Sequence, residues 1–291
     1  MNASVQTTAR SGSRRIPGIA TIPAADAIEA DVVYLAARSP APRSIYRAGS
    51  DTAERTGQYQ PYRVTVHDAR PLAGALTLDR EGFVLLHESS AVKDFYDDAQ
   101  VRETYYREIE RLVRSQTGAQ EVVVFDHTFR VQRSEGDTIG HRAPVTLAHN
   151  DYTHKSGAQR VRDLLDGDDA QRWLAGRVAE YNVWRPIRGP VRSMPLAVCD
   201  AASVAPDDLV AVDLVYPDRV GEVYNAVHNP AHRWYYVPEM RADEALLFKG
   251  YDSKTDGRSR FTLHTAIDLP ATTGSVTPRE SIETRALAYF G

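Results

Sequence analysis

The sequence predicts a mainly β fold, a helix-decorated antiparallel jelly roll, and three observations carry that expectation. After about residue 181, eight stretches rich in β-branched and aromatic residues follow one another: YNVWRPI, MPLAVCD, DLVAVDLVYP, GEVYNAV, HRWYYVP, EALLFKGY, SRFTLHTAI and ESIETRALAYF. Turn residues separate them, among them Gly189 and Pro190, Pro206 and Asp207, Pro217 and Asp218, and Asn229 and Pro230. No helical period interrupts the series, which favours a sandwich or barrel over a parallel α/β sheet.

In chain order, residues 1–25 are rich in Ser, Thr, Ala and Arg without an apolar period and read as a flexible arm, leaving residues 26–291 as a single domain. AIEADVVYLA begins the ordered chain, and residues 40–60, with Pro40, Pro42, Gly49 and Gly57, read as an extended loop. In AVKDFYDDAQVRETYYREIERLVRSQTG, Val101, Tyr105, Ile109, Leu112 and Val113 recur at helical spacing and Gly118 supplies a stop. QEVVVFDHTFRVQ then reads as a strand or hairpin, and DDAQRWLAGRVAEY as a second helix over about 168–181. The loops around 40–60, 153–165 and 186–194 are expected to shape the pocket.

Composition narrows the function classes. The chain has 291 residues, 42% hydrophobic and 25% charged, with a net charge of -4, which argues against chain-wide disorder and against a dedicated nucleic-acid binder. No apolar run approaches the ~18 residues of a membrane span, and the N-terminal stretch lacks an apolar signal region, so a cytoplasmic protein is expected. The single cysteine, Cys199, forms no internal disulfide or zinc-thiolate site and reads as a small buried hydrophobe. The oligomeric state stays open, a homodimer included.

Two constellations carry chemistry. His149 and Asp151, in the chain's sole H-x-D, converge on one side of an extended segment, because residues i and i+2 share a face. With a distant second histidine they make the 2-His-1-carboxylate triad of non-haem Fe(II) oxygenases, although the tripeptide alone also suits an ordinary polar pair. His264, in RSRFTLHTAI, shares its expected face with Arg260 and Thr262. Arg279 follows 15 residues later, and Arg279, Ser281, Glu283 and Arg285 fall on one face of the last strand. Such a row is costly to bury without ligands, and an arginine there suits the far carboxylate of a dicarboxylate co-substrate. The alternative turns that face to solvent.

His-x-Asp, a distal His and then Arg-x-Ser together resemble the Fe(II)/2-oxoglutarate dioxygenases. More particularly, LDREGFVLLHESSAVKDFYDD, VVVFDHTFR, HNDYT, YNVWRPIRGPV, PLAVCD, NPAHRWYYVPEM, FKGYDSKTDGRSRFTLHTAI and PRESIETRALAYF resemble the cephamycin-methoxylation-protein and gibberellin-desaturase-like family, from about residue 63 to the C-terminus. The resemblance implies a double-stranded β-helix core (jelly roll, cupin-like) with flanking α-helices. It implies Fe(II) on His149, Asp151 and His264, and 2-oxoglutarate and O2 on the remaining positions. Arg279 and Ser281 match the Arg-x-Ser that grips the 2-oxoglutarate tail. Arg285, six residues beyond Arg279, matches the second of the paired arginines in nucleic-acid repair dioxygenases, near the metal-bound end of the co-substrate. The reaction implied is hydroxylation, desaturation or cyclisation of a small natural-product intermediate or modified amino acid, with succinate and CO2 as co-products.

Further residues are candidates of lesser specificity. Asn182 is a possible amide donor to the co-substrate, and Trp184, Arg185, Tyr235, Tyr236 and Arg260 are candidate substrate contacts. His127 and Arg130 could also face the cavity, without being ligands, and Lys249 and Asp252 are read as a structural pair. Two rival classes are a zinc hydrolase on the same three ligands, which would need no carboxylate clamp, and a non-catalytic jelly-roll partner protein. A small-molecule substrate is expected, with no nucleic-acid or membrane partner.

Overall fold

The computed structural model describes residues 27–37, 41–48, 53–132, 142–269 and 277–291; the arm expected at 1–25 lies outside them. The strands are β1 (Ala27–Leu35), β2 (Arg43–Tyr46), β3 (Ala53–Arg55), β4 (Tyr59–Asp68), β5 (Phe83–His87), β6 (Glu121–Val131), β7 (His149–Asn150), β8 (Val178–Pro186), β9 (Leu196–Cys199), β10 (Leu209–Val215), β11 (Val220–Ala226), β12 (Trp234–Tyr236), β13 (Glu244–Asp252), β14 (His264–Ala266) and β15 (Glu280–Tyr289). They form a ten-stranded sheet, β1-β4-β12-β9-β14-β7-β11-β10-β2-β3, and a five-stranded antiparallel sheet, β5-β13-β8-β15-β6. Two facing sheets of this kind are the jelly roll expected. The larger sheet curls until β1 meets its far side again, through Val33 bridging Leu147 and the Ala148 N–H donating to the Val33 carbonyl at 2.8 Å.

Strand alternation sorts the core. In β8, Asn182 and Trp184 look between the sheets, whereas Ala179, Tyr181 and Val183 look outward onto the helix side. That outer face is covered by a helical run made of α1 (Asp98–Gln100), a π turn (Val101–Tyr105) and α2 (Tyr106–Thr117). Its buried stripe is the one the spacing predicts, Val101, Tyr105, Ile109, Leu112 and Val113, and Gly118 ends it at φ 73°. Between the sheets lie Phe83, Leu85, Trp184, Val198, Tyr235, Leu246 and Phe248. Inside the curl of the larger sheet sit Tyr34, Val66, Cys199, Trp234 and Tyr236.

The local expectations hold for most strands and fail in several places. The second helix is α4 (Gly167–Ala175) and stops at Gly176; residues 178–181 already belong to β8. Gly176 packs so tightly that a Cβ there would lie 2.8 Å from the Gly291 backbone, so the chain turns where the helical pattern alone would continue. The stretch 153–165, expected as a loop, contains α3 (His154–Leu164), and residues 40–60 include the β2–β3 hairpin.

Candidate metal centre and co-substrate site

β7 and β14 bring the three predicted ligands together. His149 and His264 are direct cross-strand partners, so their side chains share a face, and the two rings lie 4.3 Å apart. Asp151 follows β7 at i+2 from His149 and turns the same way; its Oδ1 is 3.6 Å from His149 Nε2 and 4.0 Å from His264 Nε2. One nitrogen or oxygen from each residue falls within 4.8 Å of the others.

Each imidazole is held in the tautomer a metal needs. His149 Nδ1–H donates to the Leu147 carbonyl at 2.8 Å and His264 Nδ1–H to the Thr262 carbonyl at 3.1 Å, leaving both Nε2 lone pairs towards Asp151. Burial first, then His264, depresses His149 to about 4, and burial also lowers His264. Burial alone would raise Asp151, but Arg285, the two histidines and the Asn182 amide more than offset it and hold the carboxyl below its usual range. Two neutral imidazoles and one carboxylate are the donor set of a non-haem Fe(II) site.

Asn150, between the ligands, was not singled out in the sequence, yet it organises them. Its side-chain N–H groups donate to the Tyr152 and Gly250 carbonyls at 2.6 and 2.8 Å, and its Oδ1 accepts from Thr262 N–H at 3.1 Å. One buried amide thus ties the His149–Asp151 segment to β13 and to the approach to His264. The signal was available: position i+1 in a strand must point away from its two ligand neighbours.

The last strand completes the site as its alternation predicts. Register places Ser281, Glu283 and Arg285 opposite Pro186, Trp184 and Asn182, on the face between the sheets. Arg279 precedes them, 3% exposed, over the Trp184 ring at 5.5 Å. Its Nη1–H donates to the Met194 carbonyl, and its buried Nε has no partner among the described residues. Burial, then the nearby Arg130, lowers Arg279 to about 9. A buried guanidinium that makes no ion pair among the described residues, at the end of a strip that starts at three metal-type ligands, fits a dicarboxylate co-substrate.

Other expectations require correction. Arg285 is largely engaged by carboxylates: Nε and Nη2 donate to the two Asp126 oxygens at 2.8 and 2.6 Å, and Nη1 lies 3.8 Å from Asp151 Oδ2. Both Asn182 donors are likewise committed, to Asp151 Oδ2 at 2.7 Å and Glu283 Oε1 at 3.2 Å, so Asn182 steadies the metal-type carboxylate instead of offering a free amide. Arg185 points to the opposite face of β8, over Tyr105 at 5.3 Å, where Nη2 donates to the Glu88 carbonyl. Tyr236 alternates into the curl of the larger sheet with Trp234, away from the site. Arg260 is engaged by the Asp252 carbonyl and His154, because residues 259–263 are not paired as a strand and the alternation from His264 does not extend back. Trp184 and Tyr235 do face the space between the sheets, packed with Phe83 and Phe248. His127 turns to the helix side, where its Nδ1 meets the Tyr106 hydroxyl at 3.0 Å, and Lys249 and Asp252 form the buried pair expected, at 2.9 Å.

Comparison with known proteins decides what this geometry belongs to. A family model described as "Oxidoreductase/YMDC permease-like domain" matches residues 32–289. The chain is 36% identical to hydroxylase/desaturase efuI of Hormonema carpetanum, across 80% of this chain and 85% of that protein. It is 33% identical to the Fe(II)/2-oxoglutarate-dependent dioxygenase nvfI of Aspergillus novofumigatus, with the same coverage of 80% and 85%. The chain belongs to the Fe(II)/2-oxoglutarate-dependent hydroxylase/desaturase family. A solved structure of the iron and alpha-ketoglutarate-dependent endoperoxidase NvfI matches this oxygenase with a TM-score of 0.80 at 29% identity, covering 92% of this chain and 100% of that one. The double-stranded β-helix, the enzyme class and the dependence on Fe(II) and 2-oxoglutarate follow. A small-molecule substrate is consistent with this oxygenase family, and neither the zinc hydrolase nor the accessory partner finds support there. Among the described residues, no helix of the oxygenase is long and apolar enough to cross a membrane.

Proposed function

We propose that His149, Asp151 and His264 hold the Fe(II), that Arg279 and Ser281 receive the distal carboxylate of 2-oxoglutarate, and that the enzyme hydroxylates, desaturates or cyclises a small natural-product intermediate or modified amino acid. The observation that carries the assignment is the pairing of the His149–Asp151–His264 cluster with a buried Arg279 that makes no ion pair among the described residues. Fe(II) with 2-oxoglutarate and O2 supplies the power to remove hydrogen from an unactivated C–H bond, with succinate and CO2 as co-products.

The chain's own residues bind, orient and exclude water. Asn182 and Arg285 hold Asp151 Oδ2, so that Oδ1 is turned to the two imidazoles. Phe248 packs on the His264 ring at 4.8 Å and, with Trp184 and Tyr235, keeps the protein side of the site dry. The side chains of His149 and Asp151 each keep 13% exposure against 4% for His264, so a substrate approaches from the His149–Asp151 side. The acidic net charge supports a metabolite over a nucleic acid, and we place the enzyme in the cytoplasm. The test is succinate release by the iron-loaded protein with 2-oxoglutarate, against a panel of small amphipathic acids and an alkylated oligonucleotide. Stimulation by a member of the panel is expected; stimulation by the oligonucleotide alone would contradict the substrate assignment.

A further inference from the structure

The sequence pairs Arg279 with Arg285, but the structure neutralises Arg285 between Asp126 and Asp151. A different arginine on the same wall, Arg130, makes no ion pair among the described residues, with the buried Glu283 carboxylate the nearest acidic influence the wall itself supplies. Arg130 on β6 lies directly opposite Ser281 in register, and Thr128 and Asp126 lie opposite Glu283 and Arg285, so Arg130 belongs to the face between the sheets. The Ser281 hydroxyl donates to the Arg130 carbonyl at 3.3 Å, a long bond that it would exchange for one to a bound carboxylate. Arg130 is partly buried as a residue, and its guanidinium donates through Nη1 to the Ala143 carbonyl at 3.2 Å at the open edge of the wall, with no ion pair among the described residues.

We propose that Arg130 is a second binding residue for 2-oxoglutarate, closing on the distal carboxylate beside Arg279 and Ser281. This rests on the assignment of the co-substrate to the Arg279 end of the site. Two guanidinium groups that oppose one another when nothing lies between them become favourable once a carboxylate is shared, and planar forks from two directions can occupy both of its oxygens. The position agrees with the charge beside it: after burial, Arg130 is the largest influence depressing Arg279.

The experiment is an anaerobic titration of the Fe(II)-loaded enzyme, following the visible charge-transfer band of a chelated 2-oxo acid. Two probes are used: 2-oxoglutarate, and 2-oxopentanoate, which has the same chain without the distal carboxylate. Arg130→Met raises the Kd for 2-oxoglutarate by roughly 10- to 100-fold, while iron stoichiometry and the Kd for 2-oxopentanoate stay at wild-type values. Should the Met variant fold poorly, Arg130→Lys carries the same test with a several-fold rise, because an ammonium keeps the charge and loses the fork. An unchanged 2-oxoglutarate Kd overturns the proposal, and an equal loss with both probes overturns the distal assignment. A wild-type protein that binds iron but develops no band with either acid would instead refute the underlying site assignment.

Discussion

Asp151 is the residue on which the site turns, because it is the one anionic ligand and its two oxygens have different tasks. Oδ2 is occupied by Asn182 at 2.7 Å and approached by Arg285, while Oδ1 sits between the histidines. Asp151→Ala, His149→Ala and His264→Ala should each abolish iron-dependent turnover and leave the fold largely intact; near-normal iron content in any of the three would remove that residue from the ligand set. Arg279→Ala should weaken 2-oxoglutarate far more than iron, by about 2–5 kcal/mol or roughly 30-fold and beyond, and Arg279→Lys should recover part of it. A co-substrate KM unmoved in Arg279→Ala would contradict the clamp. These residues were legible because the chemistry is local in sequence: an H-x-D on an extended segment and a charged alternation on a late strand. The occupancy of Arg285 was not legible, since Asp126 meets it through strand register, 159 residues away.

At the scale of elements, β7 is two residues long and still positions a metal ligand, because Asn150 ties it to β13 and to the chain entering β14. Asn150→Ala leaves three backbone groups without their buried partner. It should cost about 1–3 kcal/mol of stability and loosen iron without touching it, measurable as a lowered urea midpoint together with a raised iron Kd. Equal midpoints and equal iron affinity would show that β7 is held by its strand pairing alone. α3 was hidden from sequence by its polarity and by Gly157, a residue that usually argues against a helix interior. Here the glycine lets α3 press onto the Tyr251 ring, which a Cβ would meet at 2.5 Å, and Thr153 and Ser156 form the capping box that starts the helix. The long strands and the Val101–Val113 stripe were readable because their periodicity is their burial; the end of α4 was not, because the contact at Gly176 comes from the C-terminal residues.

For the whole molecule, the histidines give the protein a direction in pH. His127, His149, His228, His232 and His264 are all held below the ordinary value of 6.5 by burial, His149 to about 4. A depressed folded-state value means that the unfolded chain takes up protons first, so stability present above pH 6.5 is lost as pH falls towards 4. His149 alone accounts for about 2 kcal/mol at pH 5. Glu180 and Glu283, pushed up by burial, act in the opposite sense as pH falls from neutrality, so the histidine contribution is isolated by substitution. The metal-free wild type should lose more of its urea midpoint between pH 7 and pH 5 than metal-free His149→Ala does, and an equal loss in the two would contradict this linkage. The sheets, the curl and the helices serve one arrangement, in which a triad on one sheet faces a buried arginine on the other. Its most direct test is anaerobic addition of 2-oxoglutarate to the Fe(II)-loaded protein. One iron per chain with a saturable visible charge-transfer band, lost in Asp151→Ala and shifted to much higher 2-oxoglutarate in Arg279→Ala, is the result predicted. Iron binding and a band both undiminished in Asp151→Ala would contradict it.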